Sequence, residues 1–199
     1  DKYRADAIRH ARGSVYVAAL QLNLWSIRDA LLDAHRRGVT VRIVTDSDYF
    51  DEPETQALIK AGIPVLSDRR EGLMHNKFVI IDRQEVWTGS MNLTINGAYR
   101  NDNHFIRIQS SRLAENYTAE FEEMFVDDRF GPGSPSQTPH PTLTLNGMQI
   151  ESWFSPDDHT EARLIDLIQS AEESIFFLAF SFTSDPIADA MLRSEERRV

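Results

Sequence analysis

The sequence predicts an α/β fold, a mixed β-sheet flanked by helices. Two observations carry this prediction: short apolar runs of the length of buried strands, and amphipathic segments with helical spacing between them. Strands and helices alternate along the first third of the chain, an order that places at least some strands in parallel. With 199 residues, of which 41% are hydrophobic, the chain is long enough to bury a sizeable core.

The first part of the chain is predicted to alternate helices with strands. Residues 3–12 have helical spacing, and residues 15–22 form a continuous apolar run suited to a central strand. In the next helix, SIRDALLDAHRRG, Ser26 is the expected N-cap and Gly38 the stop. A strand (VTVRIVTD), a helix (ETQALIKAG) and a short strand (IPVLS) follow.

The middle of the chain is predicted to add strands and one long helix. Strands are expected at residues 77–82, 85–88 and 104–109. An amphipathic helix is expected at 113–126, and GPGSPSQTPHP at 131–141 has the composition of a linker. The segment TLTLNGMQIESW then predicts a hairpin about Asn146-Gly147.

The composition narrows the classes of function. A net charge of −10 argues against a broad nucleic-acid-binding surface, although a local basic groove is compatible with it. These residues include no cysteine, which excludes a thiolate zinc site and a Cys nucleophile. No run approaches the roughly 18 apolar residues of a membrane span. The compartment stays unknown, and removal of a signal peptide would make the protein secreted or periplasmic.

An internal repeat runs through the chain. A shift of 160 positions lays AIRHARGSVYVAALQLNLWSIRDALLDAHRRGV over LIQSAEESIFFLAFSFTSDPIADAMLRSEERRV without a gap. The apolar run at 15–17 matches the one at 175–177, and Ser14 matches Ser174. A chance likeness of two helix–strand segments is the alternative, but the gap-free register favours a duplication.

The repeat predicts that the chain is a fragment. We expect a first repeat at 1–130 whose N-terminal strand is missing, a linker at 131–142, and the opening of a second repeat at 143–199. The second copy has a strand-like lead-in, ESWFSPDD, whose counterpart in the first copy is expected to lie before Asp1. Its counterpart of His75 would fall at about position 235, so the second repeat is truncated before that motif.

Polar residues stand at the start of the predicted strand in MHNKFVIIDRQEVWTGSMNLT. Strand alternation places His75 and Lys77 on one face and Asp82 on the other face at the far end. The next strand leads to Ser90 and Asn92, which offer neutral hydrogen-bonding groups.

This set of residues is a poor divalent-metal site and a good anion site. Lys77 would neutralise one phosphate oxygen, and Ser90 and Asn92 would bind others. The imidazole of His75 is able to attack phosphorus without a metal and form a phosphohistidine. A satisfied polar residue at a strand end is the alternative reading of His75.

The central motif resembles the signature of the phospholipase D superfamily, His-x-Lys-x4-Asp continuing into Gly-Ser-x-Asn. It consists of MHNKFVIID followed by TGSMNLT. The matching residues are His75, Lys77, Asp82, Gly89, Ser90 and Asn92. LIKAGIPV and the preceding Met74 resemble the branch that includes small bacterial nucleases and the mitochondrial cardiolipin hydrolase. The resemblance spans roughly residues 7–126, and it is to a bacterial two-repeat member.

The resemblance implies an α/β/α sandwich with one active site built from two such motifs, in one chain or across a homodimer. One His attacks the phosphodiester, the other protonates the leaving alcohol, and water or another alcohol resolves the phosphohistidine. By matching position, His75 is the nucleophile or the acid. The family commonly places Glu-Asn after the motif to orient the His, and here Asp102 stands in place of the Glu. Asp82 is interpreted as structural.

Three functions are compatible with the sequence. A metal-independent phosphodiesterase acting on phospholipids is favoured by the acidic composition, and a nuclease with the same chemistry is the second reading. A non-catalytic phosphate-binding or scaffold module is the third, and the intact motif disfavours it. No cofactor is implied. The expected partners are a phosphodiester substrate and a second motif, and without that motif this fragment is expected to be inactive.

Other polar clusters have plainer interpretations. The acidic run TDSDYFDEPE at 45–54 is expected to be a solvated loop rather than a metal site. Arg69 and Arg70 are expected to be a surface pair, and His104 has no companion pattern that would assign it a role.

Overall fold

A six-stranded mixed β-sheet organises most of the chain. The computed structural model describes residues 2–196, which fall into two units, Asp1–Ser152 and Trp153–Val199. The sheet belongs to the first unit and has the strand order β3-β2-β1-β4-β5-β6. Its strands are β1 (Ser14–Ala19), β2 (Thr40–Thr45), β3 (Val65–Ser67), β4 (Lys77–Ile81), β5 (Glu85–Gly89) and β6 (Phe105–Gln109). The predicted α/β class is confirmed.

Strand direction brings several chain segments to one edge of this sheet. β1, β2 and β3 are parallel, whereas β4, β5 and β6 alternate in direction from β1 onward. Ala19, the last residue of β1, lies opposite Thr45 of β2 on one side and Lys77 of β4 on the other. The carboxyl ends of β1, β2 and β5 therefore meet the amino ends of β4 and β6 at the same edge.

Helices cover both faces of the sheet. They are α1 (Lys2–His10), α2 (Trp25–Arg36), α3 (Pro53–Lys60), α4 (Ile95–Tyr99) and α5 (Ser111–Phe125). Buried residues of α1, α2 and α3 share one apolar cluster with Val79 and Ile81 of β4. Buried residues of α5 share a second cluster with Phe78 and Ile80 of the same strand. Alternate side chains of β4 thus enter opposite cores, as the alternation predicted.

The start of α2 differs from the prediction. The helix begins at Trp25 after Leu24, so Ser26 lies in its first turn and is not the N-cap. The reason is tertiary: the backbone N–H groups of Asn23 and Leu24 donate to the carbonyl of Leu93, and this contact sets where the helix begins. Gly38 follows the helix with a φ of +87°, so the predicted stop is confirmed.

The hairpin predicted about Asn146-Gly147 is present. It consists of β7 (Thr142–Leu145) and β8 (Met148–Glu151), and both turn residues have positive φ, as a two-residue hairpin of this type requires. Leu143 is buried in the same apolar cluster as α5. The hairpin lies within the first unit, and the predicted start of a second repeat at residue 143 stays a prediction.

Two helices are present in the second unit, α6 (Thr160–Ser170) and α7 (Asp185–Glu196). Between them, the described residues 175–182 form neither helix nor strand. Across residues 2–196, no helix is long and apolar enough to cross a membrane.

Candidate active site

The predicted phosphate-binding residues come together at the edge of the sheet where the strand ends converge. Lys77 opens β4, and His75 lies two residues earlier in the loop that enters this strand. Ser90 follows directly on β5, whose Thr88 pairs with Phe78 of β4. The antiparallel turn between β4 and β5 therefore returns Ser90 and Asn92 to the edge that carries His75 and Lys77.

Partial burial sets the charge state of the His–Lys pair. The Nζ of Lys77 donates to the backbone carbonyl of His75 at 2.8 Å. Burial lowers the pKa of Lys77 to about 8. Partial burial of the ring also lowers the pKa of His75 from 6.5, the positive charge of Lys77 lowers it further, and Asp46 acts in the opposite direction. At neutral pH the site therefore combines a neutral imidazole with an ammonium group.

Asp46 is a residue of this site that the sequence analysis missed. It follows β2, is only 2% exposed, and accepts a hydrogen bond from the backbone N–H of Met74 at 2.9 Å. Its other oxygen accepts from the N–H of Asp48. The expectation of a solvated acidic loop is wrong for Asp46. A signal was available, because Asp46 directly follows a parallel strand, where site residues of open α/β sheets concentrate.

The loop that leads to His75 is fastened at several further points. Asp68 is 1% exposed and accepts from the N–H of Ser47, which joins the ends of β2 and β3. Arg69 pairs with the carboxylate of Asp128 at 2.7 Å, and Arg70 donates to the Asp128 carbonyl at 2.6 Å. The arginine pair thus binds the chain after α5, which limits the movement of the loop before His75.

Ser90 is held by the segment that enters β6. Its hydroxyl lies 3.1 Å from Oδ1 of Asn103 and 3.3 Å from Nδ1 of His104, and it accepts from the His104 N–H at 3.1 Å. Gly89 is required for this approach, because a Cβ there would lie 2.3 Å from the His104 carbonyl oxygen. His104, which had no sequence signal, therefore lies beside the predicted phosphate-binding hydroxyl.

Asn92 is fixed by close packing of α4. A Cβ on Gly97 would lie 2.3 Å from the Asn92 carbonyl oxygen, so only glycine permits this approach. The side-chain Oδ1 of Asn92 is buried and has no hydrogen-bond partner among residues 2–196. Among these residues, no donor satisfies that oxygen.

Asp82 lies at the opposite end of β4 from Lys77, five residues along the strand and so about 16 Å away. Its carboxylate accepts from the backbone N–H groups of Arg12, Gly13 and Ser14 at 3.0, 2.7 and 3.0 Å. Burial acts to raise the pKa of Asp82, but these hydrogen bonds outweigh it and hold the pKa below 3.8. The motif aspartate therefore joins β4 to the turn that precedes β1.

Asp102 is exposed on the loop before β6. Among the described residues it makes no hydrogen bond or ion pair with His75, and the neighbouring Asn103 is the one that contacts Ser90. Its assignment as the partner of the histidine stays a prediction. No group of three or more His, Cys, Asp or Glu side chains with metal-binding geometry occurs in residues 2–196.

A mixed α/β sheet with His-x-Lys at the start of one strand and Gly-Ser-x-Asn at the end of the adjacent strand defines the phospholipase D class of fold and motif. The family described as "Cardiolipin synthase, PLD-like domain" matches residues 5–125. The chain belongs to this phospholipase D-like family.

Individual relatives agree with this assignment. The chain is 34% identical over 119 residues to a mitochondrial cardiolipin hydrolase of Xenopus laevis, covering 59% of this chain and 57% of the relative. It is 38% identical over 118 residues to a phospholipase D of Rickettsia bellii, covering 58% and 59%. The crystal structure of Nuc, a phospholipase D family member from Salmonella typhimurium, matches with a TM-score of 0.59 and 27% identity, over 64% of this chain and 86% of Nuc. The chain spans less than two thirds of the length of these two curated relatives.

Proposed function

We propose that the protein is a metal-independent phosphodiesterase of phospholipase D type that acts on phospholipids through a phosphohistidine. The observation that carries the proposal is that His75 and Lys77 lie together at one sheet edge, where the Nζ of Lys77 donates to the backbone carbonyl of His75 and the pKa of the imidazole is lowered. A neutral imidazole has a free nitrogen lone pair, and the adjacent cation attracts the phosphate that this nitrogen attacks.

The reaction would proceed in two displacements. A nitrogen of His75 attacks phosphorus, and an N–P bond forms while the P–O bond to the leaving alcohol breaks. That alcohol takes a proton from an acid of the second motif, contributed by a second repeat or a second chain. Water then attacks phosphorus and gives a proton to that same group of the second motif, which the first step left deprotonated. A P–O bond forms while the N–P bond breaks, and the phosphate product leaves His75. Lys77, Ser90 and Asn92 would bind the non-bridging oxygens in both steps.

Asp46 would position the histidine in this scheme. Its carboxylate accepts a hydrogen bond from the Met74 N–H at 2.9 Å and so fixes the backbone immediately before His75. Its negative charge also favours the positively charged imidazole that exists while the N–P bond forms.

A lipid substrate is supported by the relatives. Two of them are named cardiolipin hydrolase and phospholipase D. The net charge of −10 is unfavourable for a polyanion that would contact a broad surface. The intact motif and the packing around it tell against a non-catalytic module.

The experiment is hydrolysis of a radiolabelled phospholipid by the protein with its second motif present, in excess chelator. We expect the phospholipid to be hydrolysed at the rate seen without chelator. Samples quenched in alkaline denaturant should carry protein-bound label that is retained at high pH and released at low pH, as a phosphohistidine requires. Replacing His75 with Asn should abolish both labelling and turnover, by roughly 10²- to 10⁴-fold or more.

His140→Asn is the control, because His140 is bonded to Glu115 on α5, away from the sheet edge. Activity that disappears in chelator and returns with magnesium or zinc would contradict the proposal. So would a His75→Asn protein that still forms the labelled intermediate.

A further inference from the structure

Ser90 lies in a cluster of polar groups that the phospholipase D motif explains only in part. Its hydroxyl lies 3.1 Å from Oδ1 of Asn103 and 3.3 Å from Nδ1 of His104, and it accepts a hydrogen bond from the backbone N–H of His104. The motif accounts for Ser90, and Asn103 stands in the second position of the Glu-Asn pair that the family commonly has after it. No part of the motif accounts for the imidazole of His104.

The sheet register places this imidazole at the edge that carries the candidate active site. Gly89 of β5 lies opposite Phe105, the first residue of β6. His104 directly precedes Phe105, so it lies at the sheet edge where Lys77 opens β4. The ring is exposed, and among residues 2–196 its hydrogen-bond partner is the hydroxyl of Ser90 alone. Its contact is therefore with a predicted phosphate-binding group rather than with the core.

The hydrogen bonds around the Ser90 hydroxyl leave one position for this imidazole. A serine hydroxyl has one proton to donate and two lone pairs that accept. The Nδ2 of Asn103 donates to the carbonyl of Gly97 at 3.1 Å, so Oδ1 of Asn103 is the atom that faces Ser90 and accepts its proton. One lone pair of Ser90 accepts from the backbone N–H of His104. The second lone pair is left for the ring of His104.

The role of the imidazole depends on whether Nδ1 carries a hydrogen. Without one, Nδ1 accepts and competes for the single proton of Ser90. With one, Nδ1 donates to Ser90, and the hydroxyl proton stays available to a ligand. Once that proton is donated to a phosphate oxygen, a hydrogen-free Nδ1 at 3.3 Å would face a lone pair of Ser90 with no hydrogen between them. Phosphate binding by Ser90 therefore favours the form of His104 that has hydrogen on Nδ1.

We propose that His104 is a positioning residue, which donates from Nδ1 to the Ser90 hydroxyl and so directs the hydroxyl proton toward the phosphate. In the free protein Oδ1 of Asn103 accepts that proton, and a bound phosphate oxygen takes its place. Hydrogen bonds in a chain polarise one another, so donation into the serine oxygen also strengthens the bond that its O–H makes to the phosphate. The inference rests on the proposed function, because it takes Ser90 to bind a non-bridging phosphate oxygen.

The kinetic test is a double-mutant cycle on phospholipid hydrolysis by the protein with its second motif present. His104→Phe removes the donor and keeps an aromatic ring. We expect kcat to fall by roughly three- to tenfold, about the value of a single hydrogen bond, with little change in KM, because the bond is strongest when charge grows on the phosphate oxygens in the transition state. In a Ser90→Ala background, the same change should alter kcat by less than about twofold.

His104→Asn should recover most of the lost kcat, because its Nδ2–H group stands near the place of the histidine Nδ1. His10→Phe is the matched control, because it removes an exposed imidazole whose Nδ1 contacts the Asp6 carbonyl on α1, and it should leave kcat unchanged. A loss that persists undiminished in the Ser90→Ala background would overturn the inference. So would a His104→Asn protein as slow as His104→Phe.

A second measurement changes no residue of the cluster, so it decides the question even if His104→Phe fails to fold. In His75→Asn protein with ¹⁵N-labelled histidine, NMR reports whether Nδ1 of His104 carries hydrogen, and dimethyl phosphate is the ligand. We expect Nδ1 to carry hydrogen in the saturated complex. Dimethyl phosphate bound beside a hydrogen-free Nδ1 would overturn this inference alone. Failure of dimethyl phosphate to bind, or of the wild type to hydrolyse phospholipid, would overturn the proposed function and this inference with it.

Discussion

Two segments of similar sequence differ in structure, because one is a buried strand and the other is exposed. β1 (Ser14–Ala19) is a central strand that pairs with β2 and β4, and its residues from Val15 onward are at most 3% exposed. At a shift of 160 positions, the segment at 175–182 matches residues 15–22, which include most of β1, yet Phe176, Leu178 and Phe180 are 93%, 103% and 108% exposed. Within the part of the chain that the structure describes, no strand pairs with this second segment.

The difference shows that an apolar run becomes a buried strand only where partners exist for both of its edges and both of its faces. Backbone N–H and C=O groups of a central strand need two neighbouring strands, and its side chains need a helix layer on each side. The first copy has β2, β4 and the helices on both faces. Within residues 2–196, the segment at 175–182 has no neighbouring strand on either edge.

The strongest test of this comparison is a pair of matched aromatic substitutions, Tyr16→Ala and Phe176→Ala. Tyr16 is 3% exposed and stacks on Phe121 with ring centroids 5.0 Å apart. Its removal should lower the free energy of unfolding by about 3–5 kcal/mol. Phe176→Ala should change it by less than about 0.5 kcal/mol.

Both values would be measured by denaturant unfolding of the whole chain. Equal destabilisation by the two substitutions would mean that the second segment is packed as a strand in solution. The contrast between buried β1 and an exposed segment at 175–182 would then be wrong.

A second test separates pairing from chemistry within the first copy. Lys77→Met keeps the backbone pairing of β4 with β1 but removes the phosphate-binding cation. The activation free energy of phosphodiester cleavage should therefore rise by about 3–4 kcal/mol. The same substitution should leave the stability of the fold unchanged or increase it. Burial lowers the pKa of Lys77 to about 8, so below that pH the lysine is charged in both states and its desolvation destabilises the folded state.

The pH dependence follows from this shift. Between pH 8 and about 10.5 the unfolded state holds more protons on this lysine, so its contribution to stability rises with pH across that window. The melting temperature of Lys77→Met at pH 7 should therefore be equal to or above that of the wild type. Retained activity with a lower melting temperature would show that Lys77 is structural.

The smallest expected effect is that of Asp82→Asn, which weakens a contact between β1 and its neighbour β4 in the first copy. Asp82 ties β4 to the turn before β1 through three backbone N–H groups. Asp82→Asn should cost about 2 kcal/mol, a fall in melting temperature of roughly 4–8 °C, with the catalytic rate kept. Because the pKa of Asp82 is held below 3.8, the wild-type advantage should be present at neutral pH and lost as the pH falls through the folded-state pKa.

Rate and melting temperature would be measured on the same Asp82→Asn sample. A variant that melts like the wild type but loses activity as fully as His75→Asn would place Asp82 in the reaction.

Local sequence patterns predict most of the fold and the central motif. Period-two alternation at Lys77–Ile81 sends side chains into two cores, and Asn146-Gly147 specifies a hairpin turn, because both depend on local geometry. The motif likewise predicted that Lys77 and Ser90 lie near one another, since adjacent antiparallel strands return the chain to the same edge.

Contacts between segments far apart in the chain could not be predicted from local sequence patterns. The start of α2 depends on Leu93, the burial of Asp46 depends on the loop at Met74, and the position of Ser90 depends on Asn103 and His104. The exposed segment at 175–182 is the clearest case, because its sequence pattern is that of β1. Burial and hydrogen bonding are properties of partners as well as of the segment, and no local pattern contains them.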